Sequence, residues 1–145
     1  MPLAFERMRI WLISLVLAIA TYSGAAMARH VEKIIYHIHS TNPNSFQRTV
    51  SNLENLHKGM PDRELKIKIL LQGKSLQLLD PALHPDTLNQ RFARLLANGA
   101  ELETSRQNWL DYAGKAQVIQ PPALVPNIFD RIIELEKQGY RYITP

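Results

Sequence analysis

Histidine and serine side chains at the predicted strand ends are the residues of this chain whose types and spacing could do chemistry. His37 and His39 stand two residues apart in an extended segment, so their rings share a face and could move protons or bind one metal ion. Two imidazoles alone make a poor metal site. We therefore expect no bound metal, with one histidine in the core and the other at the edge of a crevice.

Ser105 is a potential nucleophile, and Gly73, Lys74 and Ser75 resemble the end of a phosphate-binding loop. A serine nucleophile needs an adjacent base, and no Gly-x-Ser-x-Gly motif surrounds Ser105. The phosphate-binding loop requires a glycine five positions before Gly73, where Lys68 stands. We therefore predict neither a nucleotide-binding loop nor any other cofactor site, and assign no catalytic residue.

Composition excludes several classes of protein. The chain has 145 residues and no cysteine, which excludes disulfide scaffolds, thiolate zinc sites and cysteine nucleophiles. The 17 Lys and Arg residues are scattered singly among 13 Asp and Glu residues, for a net charge of +4. This pattern is typical of an ordinary solvated surface, so no nucleic-acid partner is predicted.

The first 28 residues are typical of a secretory signal peptide. Arg7 and Arg9 precede an apolar run over 10–20, and Ala26-Met27-Ala28 matches the small-x-small pattern of a cleavage site. An uncut membrane anchor is the alternative, but this run is about half of the ~20 residues that span a bilayer. We expect cleavage after Ala28, which releases a periplasmic or secreted domain over 29–145 with no membrane attachment.

Strand and helix patterns alternate through the rest of the chain. The predicted strands are 33–39, 65–71, 100–104, 123–125 and 140–143. The first predicted helix is capped by Asn42, begins with Pro43 and ends at Gly59. A short helix over 75–79 and a longer one, capped by Asp86 and ended by Asn98-Gly99, follow the second strand. A helical turn is predicted around 109–113, and the last helix has Ile128, Ile132 and Leu135 on its inner face. Because parallel strands need such crossovers, the alternation predicts a single α/β sandwich.

A binding crevice is expected beyond the carboxyl ends of the strands, where the strand order reverses. Polar segments follow the first three strands at 39–42, 72–75 and 104–107. The candidate crevice residues are His37, His39, Gly73, Lys74, Ser105 and Arg106.

Four segments together resemble the DsrE/DsrF-like family, in particular its exported single-domain branch related to intracellular sulfur-oxidation proteins. They are KIIYHI at 33–38, Gln72-Gly73, NGAEL at 98–102, and Val125-Pro126 followed by QGYRYITP at 138–145. The likeness spans nearly all of 29–145. It implies a flavodoxin-like three-layer sandwich with a mainly parallel sheet of about five strands. It also implies homo-oligomers, commonly trimers or hexamers, and a sulfur relay through a persulfide on a cysteine just after the third strand.

Ser105 occupies the position of that cysteine, and a hydroxyl cannot hold transferable sulfane sulfur because the chemistry requires a thiolate. Sulfurtransferase activity through the family's covalent route is therefore excluded. The prediction is a non-catalytic oligomeric binding or accessory module of sulfur or redox metabolism, holding a small sulfur-containing ligand or a partner protein. Two alternatives stay open: an enzyme that pairs His37 or His39 with Ser105, and an exported metal- or haem-binding protein.

Overall fold

Five parallel strands form one sheet in the computed structural model, which describes residues 30–112 and 118–145. The strands are β1 (Val31–Ile38), β2 (Glu64–Leu71), β3 (Glu101–Ser105), β4 (Ala123–Val125) and β5 (Arg141–Ile143). Their order across the sheet is β4-β3-β2-β1-β5, and every neighbouring pair is parallel. The prediction of a flavodoxin-like α/β sandwich with about five mainly parallel strands is confirmed.

Within the described residues, four α-helices and two 3₁₀ helices connect the strands. The α-helices are α1 (Pro43–Gly59), α2 (Asp86–Ala97), α3 (Arg106–Tyr112) and α4 (Ile128–Lys137); the 3₁₀ helices are Gly73–Leu79 and Pro81–Leu83. As predicted, Pro43 opens α1 and Asn42 caps it, because the Asn42 Oδ1 atom accepts a hydrogen bond from the Asn44 amide at 2.9 Å. The first 3₁₀ helix begins earlier than predicted, at Gly73, whose φ of 61° suits glycine.

Two predicted helix starts were wrong. Asp86 is the first residue of α2 rather than its cap; Pro85 holds the cap position and makes no side-chain capping bond. The region around 109–113 is not a single turn, because α3 begins at Arg106, directly after β3. The Ser105 hydroxyl accepts a hydrogen bond from the Asn108 amide at 3.1 Å and so starts α3 at the strand end. Residue 113 lies outside the described residues.

The helices pack on both faces of the sheet and bury two apolar clusters. The larger cluster lies under α1, α2 and α3 and contains Tyr36, Phe46, Leu53 and Phe92. The smaller cluster lies under α4 and consists of Ile35, Leu70, Ile128 and Leu135, with Ile132 packed against them. The predicted inner face of the last helix is therefore confirmed, and the molecule has three layers.

The placement of α4 follows from the strand order. The chain advances across the sheet from β1 to β4 and then returns past β1 to β5. Because parallel crossovers are right-handed, a return in the opposite direction places the connecting helix on the opposite face. The connections that leave β3 and β4 therefore go to opposite faces, and the carboxyl ends of these two strands form the switch point of the sheet.

Within residues 30–112 and 118–145, no helix is long and apolar enough to cross a membrane. The predicted signal peptide and its cleavage after Ala28 fall outside the described residues.

Candidate functional site

A crevice of about 380 Å³ opens between the carboxyl ends of β3 and β4, at the switch point of the sheet. Three segments line it, one after each of β2, β3 and β4. The lining residues are Gln72, Gly73, Ser105, Gln107, Asn108, Asp111, Tyr112, Pro126, Asn127, Ile128 and Phe129. Of the predicted crevice residues, Gly73 and Ser105 therefore lie together at this site.

A buried series of hydrogen bonds links Asn108, which lines the crevice, to β3 and β2. The Thr104 hydroxyl donates to the carbonyl of Leu71 at 2.8 Å, and the Asn108 side-chain amide donates to the Thr104 hydroxyl at 2.8 Å. Thr104 and Asn108 are both buried. Because buried polar groups without partners are costly, these hydrogen bonds hold α3 in one position relative to β2 and β3. They thereby also position Ser105.

Ser105 acts as a helix-capping residue rather than as an activated nucleophile. Its Oγ atom accepts the Asn108 backbone hydrogen bond, and the side chain is partly exposed in the crevice. Among the hydrogen bonds of the described residues, none joins the Ser105 hydroxyl to an imidazole. The hydroxyl therefore has a hydrogen to donate to a ligand, but no base to remove it.

The opposite wall of the crevice is the start of α4. The Asn127 Oδ1 atom caps this helix by accepting hydrogen bonds from the amides of Phe129 at 2.8 Å and Asp130 at 3.4 Å. Phe129 adds an aromatic wall whose side chain is 59% exposed. The side-chain amide nitrogen of Asn127 is available as a further donor to a bound group.

The crevice lining is polar and carries one carboxylate. Asp111 accepts a hydrogen bond from the Gln107 amide at 2.9 Å. No lysine or arginine is among the lining residues of the described part. Lys74 and Arg106, which the sequence placed in the crevice, are exposed at the starts of the 3₁₀ helix and of α3 and do not line it. The site therefore offers amide and hydroxyl hydrogen bonds and an aromatic surface rather than a cationic cradle.

His37 and His39 lie near the end of β1, outside the crevice lining. The His37 side chain is 4% exposed, and its Nδ1 atom lies 2.7 Å from the Tyr142 hydroxyl on β5. Burial and the neighbouring His39 lower the pKa of His37, and an interaction with the Gln72 side chain raises it by less. His39 is exposed, and its ring centre lies 5.6 Å from that of His37. Gln72 lines the crevice and also affects the pKa of His37.

Sequence reasoning missed most of the α3 and α4 side of the crevice. Asn108, Asp111, Tyr112, Asn127 and Phe129 were not among the candidates. An asparagine before a helical pattern is a recognisable cap, so Asn127 could have been identified as a helix start. Its place opposite Ser105 depends on the strand order, which no local pattern reports.

Within 30–112 and 118–145, no group of three or more His, Asp or Glu side chains is arranged to hold a metal ion. Any metal site in this part of the chain therefore draws on fewer such ligands.

The fold and the crevice define an α/β sandwich with a crevice at its strand ends. No family model matches the chain, and no curated protein matches it. The structure is similar to that of a protein of unknown function from Methanobacterium thermoautotrophicum, with a TM-score of 0.64 and 14% sequence identity. The match covers 79% of this chain and 99% of that protein. At this identity the similarity shows the fold alone.

Proposed function

We propose that this chain is an exported, non-catalytic binding module of the DsrE-like type, which holds a small sulfur-containing ligand in the crevice between β3 and β4. The observation that carries the proposal is the place of Ser105. It lines the crevice at the switch point of the sheet. The sequence resemblance implies that relatives carry their persulfide cysteine at the same point, so the proposal is a scaffold of this type without the thiol.

The absence of cysteine determines the chemistry that remains. Sulfur transfer requires a thiolate that attacks sulfur and is attacked at sulfur, and the chain has none. Ser105 has no base beside it among the described residues, so it lacks the partner that activates a serine. Reversible binding is the role that these groups support.

Hydrogen bonding is the expected mode of recognition. The Ser105 hydroxyl and the Asn127 side-chain amide can donate to the oxygen or sulfur atoms of a small ligand, and the start of α4 adds a positive dipole end. Phe129 provides an apolar surface for a less polar part of the same ligand. Because Asp111 repels anions and no lysine or arginine is among the lining residues, we expect anionic sulfur compounds to bind weakly, with selectivity by shape and hydrogen bonding.

The alternative of an enzyme that pairs a histidine with Ser105 receives less support. The Nδ1 atom of His37 lies against the Tyr142 hydroxyl, and burial lowers the pKa of this ring. A general base must lie within hydrogen-bond reach of the proton that it removes. Since no imidazole is hydrogen-bonded to Ser105 in the described part of the chain, the required pair is missing from this geometry.

The exposed apolar side chains of α4 and β5 support a homo-oligomer, which the family resemblance implies as a trimer or hexamer. Phe129 and Ile133 are 59% and 52% exposed and stand one helical turn apart, and Tyr142 on the edge strand β5 is 41% exposed. Exposed apolar side chains of this size on a helix beside an edge strand favour contact with another subunit.

Binding and turnover measurements with thiosulfate, sulfite and polysulfide test the proposed function. We expect saturable binding of at least one of these compounds to the purified chain, with no turnover in the absence of an added thiol protein. Ser105→Val should weaken binding at least fivefold, because it removes one hydrogen bond to the ligand. Ser40→Val is the matched control, since the Ser40 hydroxyl also accepts a backbone hydrogen bond before a helix but lies outside the crevice lining. Turnover by the chain alone, or equal effects of the two variants, would contradict the proposal.

A further inference from the structure

His37 has one ring nitrogen in use and one without a partner. Its Nδ1 atom is 2.7 Å from the Tyr142 hydroxyl, while its Nε2 atom is shielded from water and makes no hydrogen bond in the described part of the chain. The side chain is 4% exposed. A buried polar atom without a partner is uncommon in folded proteins and points to a missing group.

The hydrogen bond to Tyr142 favours one tautomer of His37. If the tyrosine donated to Nδ1, the proton of the neutral ring would sit on Nε2, and a buried N–H would lack an acceptor. If Nδ1 donates to the tyrosine, Nε2 carries a lone pair, and the partly exposed tyrosine keeps its own hydrogen for water. We assign the second arrangement because orphaned buried N–H groups are the rarer of the two cases.

This arrangement is the one that a metal-binding histidine adopts. Ligating imidazoles donate their other ring N–H to an outer partner, which fixes the ring and its tautomer. The second ring is at a suitable distance, because the centres of His37 and His39 are 5.6 Å apart. Two imidazoles that bind one ion through N–metal bonds of 2.0–2.1 Å in a tetrahedral arrangement have ring centres about 5 Å apart.

We propose that His37, through Nε2, and His39 bind one divalent transition-metal ion near the end of β1, with Tyr142 as the outer partner that positions His37. Water would supply the remaining ligands, since the described residues contain no group of three or more His, Asp or Glu side chains arranged to hold a metal ion. A nitrogen and oxygen set without thiolate suits Cu²⁺ and Zn²⁺, and Cu²⁺ should bind more tightly. This inference does not depend on the proposed ligand in the crevice.

The test is titration of the untagged, metal-free full chain with Cu²⁺ and with Zn²⁺, followed by calorimetry and, for Cu²⁺, by electron paramagnetic resonance. We expect one ion per chain, with hyperfine splitting from two imidazole nitrogens. His39→Asn changes an exposed residue and should therefore fold normally, yet it should lower affinity at least tenfold. Tyr142→Phe keeps both ligands but removes the outer partner, and a loss of about 10-fold or more is expected.

His30→Asn is the control, because His30 is an exposed histidine with its Nε2 atom 3.2 Å from the Glu32 carboxylate. It should leave the affinity within twofold of the wild-type value. The proposal is overturned if the wild-type chain takes up no stoichiometric ion. It is also overturned if His39→Asn binds as tightly as the wild type, or if His30→Asn alone abolishes binding.

Discussion

Arg131 on α4 donates two hydrogen bonds to Glu103 on β3, from Nε to Oε2 at 2.7 Å and from Nη2 to Oε1 at 3.0 Å. Lys68 on β2 adds an ion pair to the same carboxylate at 3.0 Å. Burial opposes ionisation of Glu103, but the bonds from Arg131 and Lys68 outweigh it and lower its pKa. The Arg131–Glu103 ion pair joins α4 to β3, the strand that ends in Ser105, so it holds both walls of the crevice together.

Glu103→Gln should lower the free energy of unfolding by about 2–4 kcal/mol, because it leaves Arg131 and Lys68 without their buried counter-charge. Urea unfolding at neutral pH measures this loss. Glu101→Gln is the matched control: Glu101 is exposed and pairs with the same Lys68, so its loss should cost less than about 1 kcal/mol. Equal losses from the two variants would show that the burial of Glu103 does not determine how much its ion pairs stabilise the fold.

The alternation of elements was predictable because local signals determine it. Asn42 and Pro43 start α1 through contacts between neighbouring residues, and a run such as 33–39 needs only its composition to be recognised as a strand. The start of α3 was missed because Ser105 serves both as the last residue of β3 and as the acceptor for the Asn108 amide. No periodic pattern separates those two roles.

The candidate site was predictable only in part, for a different physical reason. Gly73 comes shortly after β2 and Ser105 is the last residue of the adjacent strand β3, so the expected crevice contained both. Asn127 belongs to the crevice because β4 is the strand after which the order reverses, which is a property of the whole sheet. Likewise, His37 and Tyr142 are 105 residues apart in the chain, and only the pairing of β5 with β1 brings them together.

Stability should depend on pH through His37. Its folded pKa lies below the ordinary value of 6.5, so the unfolded chain binds the proton more readily than the folded chain. The stability that the neutral His37 ring contributes to the folded state is complete above pH 6.5 and is lost as the pH falls through the folded pKa. Urea unfolding between about pH 7 and pH 5 should show a smaller decline for His37→Gln than for the wild type. An unchanged decline in His37→Gln would contradict the lowered pKa of His37.

Asn127→Ala should both destabilise the fold and weaken ligand binding. Removing a helix cap costs about 1 kcal/mol, and Asn127 is also one of the residues that line the crevice. Asn42→Ala removes the equivalent cap of α1, which lies outside the crevice lining. Thermal unfolding should show similar losses for the two variants, whereas calorimetry with the best-bound sulfur compound should show weaker binding only for Asn127→Ala. Weaker binding in both variants would show that the effect acts through stability.

Light scattering should give a mass of several chains, and Ile133→Glu should reduce it towards that of one chain. A charge at this exposed position cannot be buried against a neighbouring subunit without a large desolvation cost. Lys137→Glu, one turn further along α4, is a charge-changing control at an exposed polar position and should leave the mass unchanged. A wild-type mass of a single chain would remove the proposed oligomer.

The most direct measurement is the mass of the protein after incubation with polysulfide, for the wild type, Ser105→Cys and Ser40→Cys. We predict that the wild type gains nothing, and that Ser105→Cys gains one sulfur atom per chain that a reducing agent removes. Ser40→Cys, a thiol at another strand end, should gain far less. Sulfur uptake by the wild type, or equal uptake by the two cysteine variants, would contradict the proposal that Ser105 occupies a sulfur-carrier position whose thiol is absent.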